Sequence, residues 1–390
     1  MRVLFLASSA DRYGSERALT ELAVSLASLS FTVAVTVPCD GPLSIALRRL
    51  DIPFRTVPMF VVKRGLGARA IVPFLSAGVR ARSELVEAHR SFRPDIVYSN
   101  TSHVVEGPAL ARALGAKHVW HLREIERVRD RARHLYGRWL LATGARVLPI
   151  SETVRQAYFP RTSPRVVVTP DGVDVDHYSR NVKTAETAPY TAARPLRVLA
   201  LGRLTPWKGQ DRAIQAVSSL VTSGAAAQLR VVGGAMTDDD RLFERRLKEL
   251  AHPFDGVISV EPEVEDVRPL YAWCDVVLHT AVKPEPFGRV IVEAMASGRV
   301  VVSSNVGGPR EIIRDEVDGI LVPPDDREAL VATLRRLLHA PDLVGRMAAA
   351  ARVRAESFSA RTTGQKVAAV LEEVCNQPGV VKSGTGEHGV

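Results

Sequence analysis

The sequence predicts an α/β protein of two doubly wound parallel sheets, and three observations predict it. Short apolar runs of strand length alternate with stretches of helical spacing along nearly the whole chain. Each run ends in polar or glycine-rich residues, and the pattern restarts near Arg197 after a polar interval. The length, 390 residues, fits two or three domains at roughly 150 residues each.

In chain order, residues 2–7 read as a buried strand. Leu19, Leu22, Ala23, Leu26 and Leu29 then recur at helical spacing over 18–29. Strands follow at 31–37, 96–98, 117–120 and 147–150. After the restart, 197–201 is a strand, 212–220 a helix and 229–232 a strand. Three more strands follow, at 257–260, 276–279 and 300–303. Residues 181–195 (NVKTAETAPYTAARP) have linker composition. The predicted domains are therefore 1–180 and 196–354, joined by that linker. A terminal helix over 355–372 is expected to cross back to the first domain, and 376–390 reads as a disordered tail. The halves share no sequence repeat.

The balance of 52 basic against 43 acidic residues, net +9, points to anionic ligands, anionic lipid surfaces or nucleic acid. Aromatics are only 6%, and no basic–aromatic interleaving supports nucleic acid. Arg123, Arg127, Arg129, Arg131, Arg133 and Arg138 crowd one stretch. They form either a solvated surface or a patch for phospholipid headgroups or an anionic acceptor. Three scattered cysteines give no disulfide framework or metal knuckle. The apolar run at 3–7 is too short for a signal peptide, and no run approaches a membrane span. A cytoplasmic protein is expected, with peripheral contact at the inner membrane surface as an option.

Ligands of open α/β sheets bind beyond the carboxyl ends of the strands. Two such domains facing one another would enclose a deep cleft. The residues placed there are 8–15, 100–103, 121–124, Ser151, 202–209, 233–234, 261–265, 284–288 and 305–311. The segment KPEPFGRVIVEAMA (283–296) sets Glu285 before a helix start and Glu293 within the helix. The two can bracket one elongated ligand, and free amides around Phe287 and Gly288 make an anion site. In GRLTPWKG (202–209), Arg203 and Lys208 follow Gly202 at a strand end and suit a diphosphate. Tyr13, Gly14 and Ser15 open the first helix, where amides could approach a phosphate or Ser15 could simply cap the helix. His121 is either cleft-facing or structural. Glu311, in NVGGPREI (305–312), could touch a sugar or phosphate.

Two patterns are set aside. Asp238–Asp240 resembles a metal-binding DxD but reads as a helix start, and Gly65-Leu66-Gly67 lies after the wrong strand for a dinucleotide fingerprint. No metal-ligand cluster has usable spacing.

With these motifs in hand, the chain resembles the retaining, nucleotide-sugar-dependent glycosyltransferases of the GT-B fold. More narrowly, it resembles the family-four-like group with a Glu–seven residues–Glu motif. The likeness covers residues 1 to about 370 and rests on YGSER (13–17), His121, DGVD (171–174), GRLTPWKG, PEPFGRVIVEAMASG and GGPREII. One departure is Tyr13, where the family loop usually has a second glycine.

The resemblance implies two Rossmann-like domains facing across a cleft, the second holding the nucleotide diphosphate sugar. Arg203 and Lys208 would neutralise the diphosphate, Glu285 would bind the donor sugar and Glu293 the ribose. Gly14, Gly202, Gly233, Glu261, Phe287 and Gly288 would frame the donor, and His121 would approach the sugar. Tyr13, Ser15, Asn100 and Arg123 would meet the acceptor. No cofactor or metal is expected. The implied reaction moves a hexose from a UDP-sugar, or a GDP-sugar, to a glycan, lipid-linked or natural-product hydroxyl with retention. Alternatives are an epimerase or hydrolase of the same fold, or a non-catalytic nucleotide-sugar-binding protein.

Overall fold

The computed structural model describes residues 1–11, 13–59, 61, 83–126, 128–180 and 188–376. The expected linker is covered only from residue 188. Arg127, the 65–67 glycine pattern and residues 377–390 lie outside the described residues.

Two six-stranded sheets organise the chain. The first contains β1 (Arg2–Leu6), β2 (Thr32–Val37), β3 (Phe54–Thr56), β4 (Ile96–Ser99), β5 (Lys117–Leu122) and β6 (Arg146–Pro149). The second contains β7 (Leu196–Leu201), β8 (Ala227–Val232), β9 (Ile258–Glu261), β10 (Val276–His279), β11 (Val300–Ser304) and β12 (Ile320–Val322). Their orders are β3-β2-β1-β4-β5-β6 and β12-β11-β10-β7-β8-β9. Counted from its own first strand, each sheet has the same order, so the halves repeat in topology without repeating in sequence. The ladders are parallel. Strands covered on both faces must be apolar throughout, which is why VLFL, VVL and VVV read so clearly as strands.

By internal contacts the chain forms two compact units. One comprises Met1–His121, Arg138–Leu148 and the chain from Gly364; the other comprises Leu122–Gly137 and Pro149–Thr363. In the second unit, Val198, Ala200, Leu229, Val231, Val276, Leu278, Val300 and Val302 pack into one core with Ile214, Val217, Leu334 and Leu337 from helices. These are alternate residues of their strands. The intervening residues, including His279 and Ser303, therefore project from the opposite side of the sheet.

Four expectations shift. The short strands β3 and β12 are additional. Strand β5 runs to Leu122, so His121 lies within it rather than in the loop beyond. Glu261 likewise ends β9. The last helix runs Ala360–Asn376 after a break at Ser359, whose backbone is extended and bridges to Val173. Among the described residues no helix is long and apolar enough to cross a membrane.

Candidate active site

Strand order in the second sheet reverses between β7 and β10, and the loops leaving those two strands border the crevice where ligands of such sheets sit. They carry the two most specific sequence motifs. The loop after β7 begins at Gly202, whose φ is +136°, and a Cβ on Gly233 would collide with the Gly202 carbonyl. Only glycine allows that approach. A 3-10 turn at Pro206–Lys208 ends at Gly209, in the left-handed region at φ +67°. A Cβ there would strike the Thr280 carbonyl. Thr280 Oγ1 donates to the Gly209 carbonyl at 2.7 Å, and the Val282 amide donates to the Trp207 carbonyl at 2.9 Å. The backbone around Lys208 is thus fastened to the end of β10.

That fastening delivers the Lys208 ammonium to Glu285, to which it donates, while it sits 4.6 Å over the Trp207 ring. The same carboxylate oxygen lies 3.2 Å from His279 Nε2. His279 Nδ1 is in turn 3.1 Å from Ser303 Oγ, its partner in register on β11. Burial alone would raise the Glu285 pKa. The Lys208 charge and the His279 contact overcome it and hold the carboxyl at about 2.

Beyond Glu285 the chain turns through Gly288, φ +107°, into the helix Arg289–Ala296. Glu285 pairs with Gly307 in a short bridge, and the Gly308 amide donates to the Glu285 carbonyl at 2.8 Å. A Cβ on Gly308 would run into the Phe287 backbone. This packing explains the adjacent glycines of GGPREI. Glu293 is 2% exposed. It accepts from Tyr271 Oη at 3.1 Å and lies 3.7 Å from Arg289. Arg289 also donates to the Gly172 carbonyl, which ties DGVD to this helix. A cavity of about 520 Å³ opens beside the same loop, lined by Ile125, Arg133, Gln156, Trp207, Lys283 and Pro286 among others.

Lys208 and Glu285 are therefore brought together, and other predicted residues are placed differently. Arg203 is exposed, its guanidinium 3.5 Å from Met236 Sδ. Glu261 is held by Arg230 through bonds of 2.7 and 2.5 Å, and Arg230 lies over Trp273. Arg123, expected at an acceptor, is buried in an ion pair with Asp171. His121 is fully buried, with Nδ1 2.8 Å from Tyr98 Oη. Glu311 accepts from the Glu152 and Thr153 amides and from Thr153 Oγ1 at 2.7–2.9 Å. It serves the start of helix Glu152–Tyr158.

The first helix begins at Gly14 with Tyr13 at the N-cap and no side-chain cap, so Ser15 is not the cap. Ser15 and Ser8 instead donate to the buried Glu16 at 2.6 and 3.1 Å, and Asn100 Nδ2 donates to the Ser15 carbonyl at 3.0 Å. In the arginine stretch, Arg133 donates to the Glu126 and Val128 carbonyls, while Arg129, Arg131 and Arg138 are exposed. Asp238–Asp240 does open a helix, with Thr237 and Asp240 forming a capping box.

Sequence reasoning missed His279, Ser303, Tyr271 and Glu16. For His279 and Ser303 a signal existed: a polar residue closing an otherwise all-valine or leucine strand at its carboxyl end.

Residues 195–340 match the family described as glycosyl transferases group 1, and residues 13–172 match the glycosyl transferase 4-like domain. The chain belongs to this glycosyltransferase family. A curated D-inositol 3-phosphate glycosyltransferase of Xylanimonas cellulosilytica is 36% identical over 50% of this chain and 48% of its own. A glycogen synthase of Mycobacterium tuberculosis is 26% identical over 73% of this chain and 69% of its own. The chain spans about half the length of the first of these relatives. Among solved structures, Anabaena HepE in complex with UDP and glucose superposes with a TM-score of 0.79 at 22% identity, covering 95% of this chain and 99% of that one. Sucrose-phosphate synthase from Thermosynechococcus elongatus gives 0.73 at 17% identity, covering 96% and 99%. The fold of this glycosyltransferase-family chain is GT-B.

Proposed function

We propose that the chain is a retaining glycosyltransferase that moves a hexose from a nucleotide diphosphate sugar to an acceptor hydroxyl. A UDP-sugar is the favoured donor. The observation that carries the reading is the Lys208–Glu285 pair, set by two glycine-shaped loops at the switch point of the second sheet. A structural neighbour holding UDP and glucose supports the choice of donor.

Cleaving the anomeric C–O bond leaves negative charge on the diphosphate and positive charge on the sugar ring. Lys208, Arg203 and the amides near Phe287–Gly288 stabilise the departing diphosphate. Glu285 accepts hydrogen bonds from the donor sugar's hydroxyls, and Glu293 acts at the ribose. The acceptor oxygen attacks the same face of C1 as the diphosphate leaves, and a diphosphate oxygen takes the acceptor's proton. The two cations and the helix-start amides neutralise the leaving group, so this route calls for no resident metal. Acceptor recognition is assigned to Tyr13, Ser15 and Asn100, as the family resemblance implies. The acceptor is a glycan, a lipid-linked sugar or a natural product. Calorimetry against a panel of sugar nucleotides, then mass spectrometry of products, tests the reading. Absence of both binding and transfer across the panel rejects it.

A further inference from the structure

Lys208 is the cation nearest Glu285 in this structure, and in the proposed reaction it is also the cation for the diphosphate. The two demands conflict. When a phosphoanion draws the ammonium away, Glu285 stays buried, and a buried carboxylate without a partner is strongly unfavourable.

We infer that His279 is a positioning residue that keeps the Glu285 carboxylate in place when Lys208 turns to an incoming phosphoanion. The inference rests on the glycosyltransferase reading for the identity of that anion, and on geometry for the rest. The imidazole is 5% exposed and is engaged at both nitrogens, by Glu285 Oε2 at 3.2 Å and by Ser303 Oγ at 3.1 Å. Because His279 and Ser303 are register partners on neighbouring parallel strands, the ring is anchored to the sheet, not to the mobile end of a long side chain. Nε2–H donates to the carboxylate, and Nδ1 meets the Ser303 hydroxyl. The proton of that hydroxyl is shared with the Ser304 carbonyl at 3.3 Å when the ring is neutral, and its oxygen accepts from Nδ1–H in the imidazolium. Either form presents a donor to Glu285. The carboxylate is thus held from two sides, by a flexible ammonium and by a fixed ring. Only the flexible one can leave.

The test compares His279→Asn, which lacks a donor at the Nε2 position, with His279→Gln, whose amide nitrogen reaches it. Calorimetry on the full chain measures UDP and UDP-sugar separately. For His279→Asn, UDP affinity is expected to fall by about 10-fold or more, the effect of losing a hydrogen bond to a charged group, because its diphosphate takes Lys208 and leaves Glu285 without a partner. UDP-sugar affinity falls less, because sugar hydroxyls then meet Glu285. His279→Gln restores most of the UDP affinity. Equal losses for both ligands, no loss for either, or failure of Gln to restore overturns the inference.

A second measurement needs no donor and so separates this inference from the proposed activity. Lys208→Met imitates the departed ammonium. Unfolding of Lys208→Met, His279→Asn and the double variant is expected to show a loss in the double that exceeds the sum of the singles, because only there does Glu285 lose both partners. Additive losses reject the role of His279 even if the transferase reading stands.

Discussion

Lys208 donates to Glu285 across 77 positions of the chain. The two residues belong to loops leaving β7 and β10, strands that are neighbours in the sheet but not in sequence. The pair exists because parallel strands carry their exit loops to the same edge, and because Gly209 lets one loop lie against Thr280 of the other.

Lys208→Ala is expected to lower transfer by about 10²–10³, the usual effect of removing one preorganised charge donor from a dry site. Arg203→Ala is expected to have a similar effect on transfer with a smaller effect on stability, since its guanidinium has no ion-pair partner among the described residues. Steady-state kinetics and thermal unfolding of both variants check this.

Glu285 is held at about 2 by Lys208 and His279 against the effect of burial. Its folded pKa is below the unfolded value of about 4.3. Its ionic contribution to stability is therefore fully present above that value and is lost as pH falls toward 2. The stability difference between the parent and Glu285→Gln should stay constant from about pH 6 to 8 and shrink in the acid range. A difference already falling between pH 8 and 6 would contradict this.

Gly209→Ala places a methyl against the Thr280 carbonyl at a φ of +67°. A cost of about 1–3 kcal/mol is expected, together with a fall in kcat/KM as Lys208 moves off Glu285. Urea unfolding and kinetics on one preparation measure both.

His118 is fully buried, and desolvation lowers its pKa to about 3. Ser99 Oγ donates to the Val104 carbonyl and so accepts from His118 Nε2–H, which leaves the unprotonated Nδ1 without a partner. The unfolded chain takes up this proton near pH 6.5 and the folded chain does not, so stability falls as pH drops from 6.5 toward 3. The slope is about 1.4 kcal/mol per pH unit. His89, lowered to about 4 by burial and by Arg55, acts in the same direction. Chemical denaturation from pH 7 to 5 should show this loss, and His118→Gln should reduce the slope by one proton.

Glu311→Ala removes an acceptor from two amides and a hydroxyl at the start of helix Glu152–Tyr158. The expected loss is about 1–2 kcal/mol of stability, the size of a lost helix cap, with nucleotide-sugar affinity unchanged within about twofold. A large affinity loss at unchanged stability would return Glu311 to the ligand site.

Among the described residues ten of the twelve strands are visible in the sequence, most clearly where a strand covered on both faces is apolar, as in VLFL, VVL and VVV. The two missed, FRT and ILV, are three-residue edge strands, too short for any periodicity. GRLTPWKG and PEPFG are legible because each joins chemistry to a backbone demand, cations beside Gly202 and Gly209 in the first and the Glu285 carboxylate beside Gly288 in the second. Local order could not decide which side chains satisfy one another. Arg123 looked like an acceptor contact and is matched by Asp171, 48 positions later. Glu311 looked like a ligand group and is claimed by a helix start, and His279 looked like the end of a strand and lies beside Glu285. The amino-acid order settled the sheets and the glycine-shaped loops, because these depend on apolar runs and on φ at single positions. Charge pairing waited for the tertiary structure, because a buried ion is assigned to whichever partner the folded backbone brings within a few ångströms, wherever that partner lies in the chain.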